Sequence, residues 1–218
     1  MLDRLPTPPP PIQRIIMKLY FSPGACSLSP HIVLLEAGLP FTLDKVDLRN
    51  KLTASGADFR AINGKGYVPA LEIDSGAILT EGPAIVQYLA DLVPDKRLAP
   101  ALGSMERYQL MAWLNFIGTE IHKNYGPLFK ADAGDELKAY ARANLTQRYA
   151  YVERMLEGRD YLDGERFSVA DAYLFVVTNW AGHLQLDLSA WPNVQAFQKR
   201  MLARPAVQQA LRAEGLID

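Results

Sequence analysis

The lone cysteine, Cys26, lies in Lys18-Leu19-Tyr20-Phe21-Ser22-Pro23-Gly24-Ala25-Cys26-Ser27-Leu28-Ser29-Pro30. There a short apolar run gives way to a Pro-Gly turn and then to a helix pattern. A thiol at that junction sits beside the unpaired N–H groups of a helix N-terminus, which favour negative charge. The expectation is a lowered thiol pKa and a raised thiolate fraction near neutral pH. The alternative is a small, inert, buried side chain, the commoner fate of an isolated cysteine. Its place at a strand-to-helix turn favours the reactive reading.

Three further segments carry backbone and charge suited to a ligand. Gly66-Tyr67-Val68-Pro69-Ala70 puts a proline at the entry of a strand. Such a bond is trans by default. A cis Pro69 would turn the Val68 N–H and C=O outward, to pair with an extended, peptide-like ligand. Thr80-Glu81-Gly82-Pro83 opens a helix, where the Gly82 N–H and the helix dipole would hold a carboxylate and Glu81 would face an ammonium group. In the loop Asp47-Leu48-Arg49-Asn50-Lys51, Lys51 would reach a second carboxylate. Read singly, Glu81 is a first-turn acid that complements the dipole, and Lys51 a solvated surface charge. Read together, they outline a groove for a short zwitterionic peptide with a carboxylate at each end and a thiol near Cys26. That is the shape of glutathione.

A long helical pattern, Ser104 to Tyr125, supplies the opposite wall. Leu110, Leu114, Ile117 and Ile121 recur at helical spacing as the buried stripe, and Asn115, Thr119, His122 and Lys123 recur on nearly the opposite face. A polar stripe is ordinarily the wet side of a helix. If this one looks across at Cys26, a cation there lowers the thiol pKa further, and His122 can donate to a sulfur or a carboxylate. Tyr20 is either a hydroxyl donor or, more simply, a packed aromatic. Tyr125, Phe129, Tyr173 and Trp180 are the side chains from which a pocket for an apolar or aromatic second substrate would be built.

These residues need a scaffold, and the chain divides into two halves of different periodicity. From Met17 to about Leu92 strand and helix alternate: a strand over Lys18–Phe21, a helix over Leu28–Glu36 closed by Gly38, and a strand over Phe41–Val46 with Phe41, Leu43 and Val46 facing inward. After an irregular helical segment, Ala70–Ile73 and Ala77–Leu79 flank the turn Asp74-Ser75-Gly76, and a helix covers Glu81–Leu92. The order βαβ then ββα predicts a four-stranded mixed sheet with helices packed on it. Past a linker around Pro94–Pro100 every strong signal is helical: Ser104–Tyr125, Glu136–Glu157, Ala170–Trp180, Pro192–Ala203 and Ala206–Glu214. Ser168 with Asp171 three residues on reads as a capping box, with Phe167 as a staple against Ala172. The domain expectation is 17–95 for the α/β half, 96–102 for the linker and 103–218 for the all-helical half. Residues 1–16, with prolines at 6 and 8–11, read as a disordered leader.

Composition narrows the function classes. A chain of 218 residues is long enough to bury a sizeable core without staples. A net charge of -1 gives no electrostatic reason for nucleic acid or an anionic membrane as partner, and no apolar run is long enough to span a bilayer. One cysteine excludes an internal disulfide framework and points to a reducing compartment, the cytoplasm; three histidines with that cysteine form no zinc spacing.

From Met17 to its end the chain resembles a bacterial beta-class glutathione transferase. The resemblance is carried by Ser22-Pro23-Gly24-Ala25-Cys26-Ser27-Leu28-Ser29-Pro30-His31, Gly66-Tyr67-Val68-Pro69, Thr80-Glu81-Gly82-Pro83-Ala84-Ile85-Val86-Gln87-Tyr88-Leu89-Ala90-Asp91, Trp113-Leu114-Asn115-Phe116, Glu120-Ile121-His122-Lys123 and Val169-Ala170-Asp171-Ala172-Tyr173-Leu174-Phe175. Cys26 together with His122-Lys123 separates this class from those that use an N-terminal Tyr or Ser. The resemblance implies a thioredoxin-like N-terminal domain, an all-helical C-terminal domain and a homodimer, with glutathione as co-substrate and no metal. It implies catalytic roles for Cys26 and His122, with Cys26 meeting the glutathione sulfur. Ala25, Lys51, Tyr67, Val68, Pro69, Glu81 and Gly82 would hold the tripeptide from the first domain, and Asn115, Thr119, His122 and Lys123 from the second. Tyr67 departs from the Gln of many relatives. The implied reaction is conjugation of the glutathione thiolate to a small hydrophobic electrophile. The alternatives are a thiol-disulfide reductase or reductive dehalogenase working through a Cys26 mixed disulfide, and a non-catalytic carrier of hydrophobic ligands.

Overall fold

Alternating apolar side chains followed by a Pro-Gly turn give the first strand and the reversal into the first helix. The computed structural model describes residues 16–218, so all but the last residue of the expected leader lies outside the described residues. Strand β1 (Met17–Phe21) leads through the Cys26 loop into helix α1 (Leu28–Ala37). Gly38 closes α1 as expected: at φ 69 it adopts the left-handed conformation that a side chain disfavours. Strand β2 (Phe41–Asp47) lies parallel to β1, a two-residue strand β3 (Leu52–Thr53) follows, and helix α2 (Phe59–Ile62) is the irregular segment. The hairpin β4 (Ala70–Glu72) and β5 (Ile78–Thr80) then leads into helix α3 (Gly82–Asp91).

The sheet order is β3-β2-β1-β4-β5, with β1 and β2 parallel and the other pairings antiparallel. The four expected strands are present, and β3 extends the edge beyond β2. Its two residues are too short to leave a periodic signal. One expectation is corrected here: Val46 does not share a face with Phe41 and Leu43. It packs with Tyr20, Phe59, Val68 and Ala70 on the other side of the sheet, as the two-residue period of a strand requires.

The second half is helical. Helix α4 (Met105–Phe116) runs through a wide π turn at Ile117–His122 into α5 (Lys123–Phe129), followed by α6 (Asp135–Met155), α7 (Val169–His183), α8 (Pro192–Leu202) and α9 (Pro205–Ala213). The expected stripe Leu110, Leu114, Ile117 and Ile121 is buried. Among the described residues no helix is long and apolar enough to cross a membrane.

The two halves share one core. Helix α1 packs against α7 and α9, and its Ile32, Val33 and Leu34 join Val177, Val207 and Leu211 in the same apolar cluster. Arg107 on α4 grips Asp91 at the end of α3 with both terminal nitrogens, at 2.8 and 2.9 Å, and also donates to Gln87 Oε1 and the Pro100 carbonyl. These contacts join the two halves, and the loop after β1 meets the second half at Trp180 and Glu214.

Candidate active site

The loop Ser22–Ser27 is shaped by its own backbone. The Ala25 N–H donates to the Ser22 carbonyl at 3.0 Å, and Ser27 Oγ bonds both the N–H and the carbonyl of Ser22. This turn delivers Cys26 to the foot of α1, partly buried, with Sγ donating to the Val68 carbonyl at 3.3 Å. The expected lowering of the thiol pKa is overturned. Burial pushes the Cys26 thiol up to about 11, aided by the Glu81 carboxylate, against the downward pull of the Cys26 and Ser27 N–H groups and of Lys123. Desolvation of a thiolate outweighs the helix N-terminus here. In the free protein Cys26 is therefore a neutral hydrogen-bond donor at pH 7.

The Val68–Pro69 bond is cis, and the Val68 carbonyl that accepts from Cys26 is the one expected to serve a ligand. A carbonyl oxygen has two lone pairs, so the thiol leaves one acceptor site open. Around it stand the other first-half candidates. Ala25 packs on the Tyr20–Val68 cluster. Lys51, at φ 60, donates from Nζ to the Gly66 carbonyl at 2.9 Å and lies 6.0 Å from the centre of the Tyr67 ring. Tyr67 itself is exposed. Glu81 precedes α3 at φ 71, and a Cβ on Gly82 would meet Pro69 Cγ at 3.8 Å. A non-glycine residue held at positive φ stores backbone strain of the kind found at ligand-binding turns. Sequence reasoning missed Lys65, whose Nζ is 2.6 Å from Glu81 Oε1. Its distance from Glu81 in sequence hid the pair, which the turn between α2 and β4 creates.

The second half contributes His122 at the end of the π turn. Its Nδ1 is 2.6 Å from the Tyr173 hydroxyl, and its ring meets Trp180 edge-on at a centroid distance of 4.8 Å. Burial, with Lys123 beside it, pushes the His122 pKa down to about 4, against the pull of Glu81. The imidazole is neutral at pH 7. Lys123, exposed, acts electrostatically on both Cys26 and His122. Asn115 and Thr119 lie two turns and one turn before it, exposed, but bond back to their own helix, at the Met111 and Asn115 carbonyls. Among the described residues neither hydrogen-bonds Cys26 or Glu81.

Of the four aromatics expected to wall a second pocket, Tyr125 is corrected. It is fully buried and bonds Tyr149, which bonds Thr178, as a core hydrogen-bond chain. Phe129 is exposed and stacks edge-on against Trp180. Tyr20 donates to Glu72 at 2.6 Å on the sheet face that carries Phe59, which settles it as a structural aromatic. The Trp180 Nε1–H donates to the Gly24 carbonyl at 2.8 Å, and Glu214 Oε2 accepts from the Gly24 N–H at 2.9 Å. Gly24, at φ +69, is thus held from both sides by the second half.

Residues 24–92 match the family model described as glutathione S-transferase, N-terminal domain, and residues 116–205 the one described as glutathione S-transferase, C-terminal domain. Glutathione S-transferase GstA of Escherichia coli O157:H7 is 50% identical over 200 residues, covering 92% of this chain and all of the relative. The chain belongs to the glutathione S-transferase family. Among solved structures, BphK, a bacterial glutathione S-transferase seen in a ternary complex, is 59% identical with a TM-score of 0.91, covering 91% of this chain and 100% of that one. A sphingomonad glutathione S-transferase complexed with glutathione is 48% identical, TM-score 0.88, covering 92% and 100%. The family fold, a thioredoxin-like domain followed by a helical one, is that of this chain. Among the described residues no three His, Cys, Asp or Glu side chains cluster as a metal site.

Proposed function

We propose that this glutathione S-transferase is of the beta class and joins the thiolate of glutathione to small hydrophobic electrophiles. The tripeptide lies along Val68, with its termini served by Lys51 and by Glu81 and Gly82, and its sulfur next to Cys26. The observation that carries this reading is the 3.3 Å contact between Cys26 Sγ and the Val68 carbonyl, which brings thiol and peptide-gripping backbone to one point.

When glutathione binds, the single S–H of neutral Cys26 turns from the Val68 carbonyl to the glutathione sulfur and stabilises that sulfur as a thiolate, while Lys123 adds positive charge nearby. Each unit by which the bound sulfur's pKa falls corresponds to about 1.4 kcal/mol of preferential stabilisation of the anion. The thiolate attacks the electrophile: an S–C bond forms, the leaving group departs with its bonding electrons, and the thiol proton passes to solvent. Binding also holds the two reactants in place, which removes much of the entropic cost of their encounter. A thiol with a pKa near 11 is almost wholly protonated at pH 7, which favours conjugation over thiol-disulfide exchange by Cys26 itself.

Retention on immobilised glutathione, then turnover with halogenated aromatic, peroxide and disulfide substrates, tests the reading. Failure to be retained overturns it, and retention without turnover of any electrophile makes the protein a carrier. We also read the protein as a cytoplasmic homodimer. The lone cysteine favours a reducing compartment, and Leu102, Met105 and Tyr108 stand exposed at and before the start of α4. A species of 24.2 kDa in sedimentation overturns the dimer.

A further inference from the structure

His122 has two ring nitrogens, and which one carries the proton decides whether it offers the cleft a donor or an acceptor. Its Nδ1 is paired with the Tyr173 hydroxyl at 2.6 Å, and its Nε2 makes no hydrogen bond among the described residues. Tyr173 is buried on α7, at 4% exposure, and its hydroxyl likewise has His122 as its sole hydrogen-bond partner among the described residues.

Two arrangements share that one bond. If Nδ1–H donates to the phenol, the Tyr173 O–H proton is left buried with no protein acceptor, at a cost of about 1–3 kcal/mol. If the phenol donates to Nδ1, the buried O–H and Nδ1 satisfy each other, and the imidazole proton must sit on Nε2, where the half-buried ring offers it to a ligand or solvent. The packing holds this geometry: Trp180 meets the His122 ring edge-on at 4.8 Å, Tyr173 meets it at 5.8 Å, and Gly118 lies against the phenol, 3.6 Å from its hydroxyl at the position of a Cβ.

We infer that Tyr173 is a positioning residue whose hydroxyl donates to His122 Nδ1 and so fixes His122 as its neutral Nε2–H tautomer, an N–H donor for the glutathione sulfur or for the electrophile. The inference deepens the proposed reaction and rests on it. Both groups stay uncharged at neutral pH: burial holds Tyr173 well above the usual tyrosine range, with the Glu81 charge (and Cys26 once ionised) acting in the same direction, and holds His122 well below the usual histidine range. The charged and titratable groups acting on the pair are Cys26 and Glu81 from the first half and Lys123 from the π-turn side.

The test has a spectroscopic arm and a kinetic one. Long-range 1H–15N spectra of histidine-labelled protein should show His122 as a single Nε2–H tautomer in the wild type and as a mixture in Tyr173→Phe. A wild-type Nδ1–H tautomer overturns the inference, whatever the enzyme turns over. In kinetics, Tyr173→Phe should lower kcat about tenfold while the glutathione Kd stays within about twofold. In the His122→Asn background the same substitution should cost nothing further. Loss of kcat that persists in that background, or an unchanged kcat in the single variant, overturns it. Loss of glutathione binding by the wild type would instead sink the proposed function and leave the tautomer result standing.

Discussion

At the scale of single residues the site turns on protonation. Cys26 lies where a helix N-terminus would lower its pKa, yet burial dominates and raises it to about 11. Alkylation by iodoacetamide proceeds through the thiolate, so in the free enzyme its rate at Cys26 should climb about tenfold per pH unit from about pH 7 to 10. A plateau by about pH 8 would show the helix N-terminus winning. On exposure to oxidised glutathione, intact-mass measurement should show slow addition of one glutathione to the wild type and none to Cys26→Ala. Conjugation should fall in that variant without vanishing, since the proposed positioning of the tripeptide by Lys51, Val68 and Glu81 does not depend on the thiol.

At the scale of elements, α7 is the piece that must start in the right place, because it carries Tyr173 and Trp180 into the cleft. Its start is the box foreseen at Ser168 and Asp171. Asp171 is fully buried, accepting from the Leu162 N–H at 2.8 Å and from both the N–H and the hydroxyl of Ser168 at 2.7 Å. Ser168→Ala should cost about 1 kcal/mol in urea unfolding. Asp171→Ala should cost about 3 kcal/mol, because it strands two buried backbone donors. Burial also raises the Asp171 pKa to about 6. A carboxyl whose folded pKa lies above its unfolded value binds its proton more tightly in the native state. Stability therefore falls as pH rises from about 4 through about 6, and Asp171→Asn should flatten that decline. The helices around the site were legible from period and caps. The π turn at Ile117–His122 was not: it still buries Ile117 and Ile121, so the apolar pattern of a plain α-helix and of this one read alike.

At the scale of the whole molecule, the second half holds the cysteine loop in place. Gly24 gives its carbonyl to Trp180 and its N–H to Glu214, whose other oxygen is 2.8 Å from His31 Nδ1, and Leu216 lies beside Gly24, 3.5 Å from where a Cβ would stand. The Glu214 and His31 side chains are both essentially fully buried. Truncation as Glu214→Ala leaves His31 and the Gly24 N–H without a partner. It should cost on the order of 3 kcal/mol in urea unfolding and reduce kcat by freeing the Cys26 loop; full stability in that variant would show the clamp to be idle.

The sequence by itself determined the two-part architecture, the strand-turn-helix setting of Cys26 and the helix faces, because periodicity, turn residues and caps are local and each acts within a few residues. It also named Lys51, Glu81 and His122, whose types and neighbours advertise charge. Only the tertiary structure decided that Cys26 is a neutral donor, that Lys65 pairs with Glu81, that Tyr125 belongs to the core and that Tyr173 meets His122 and Glu214 meets Gly24. Each of those depends on desolvation or on a contact between residues far apart in the chain, and no local pattern encodes how much water a side chain keeps once the halves have closed.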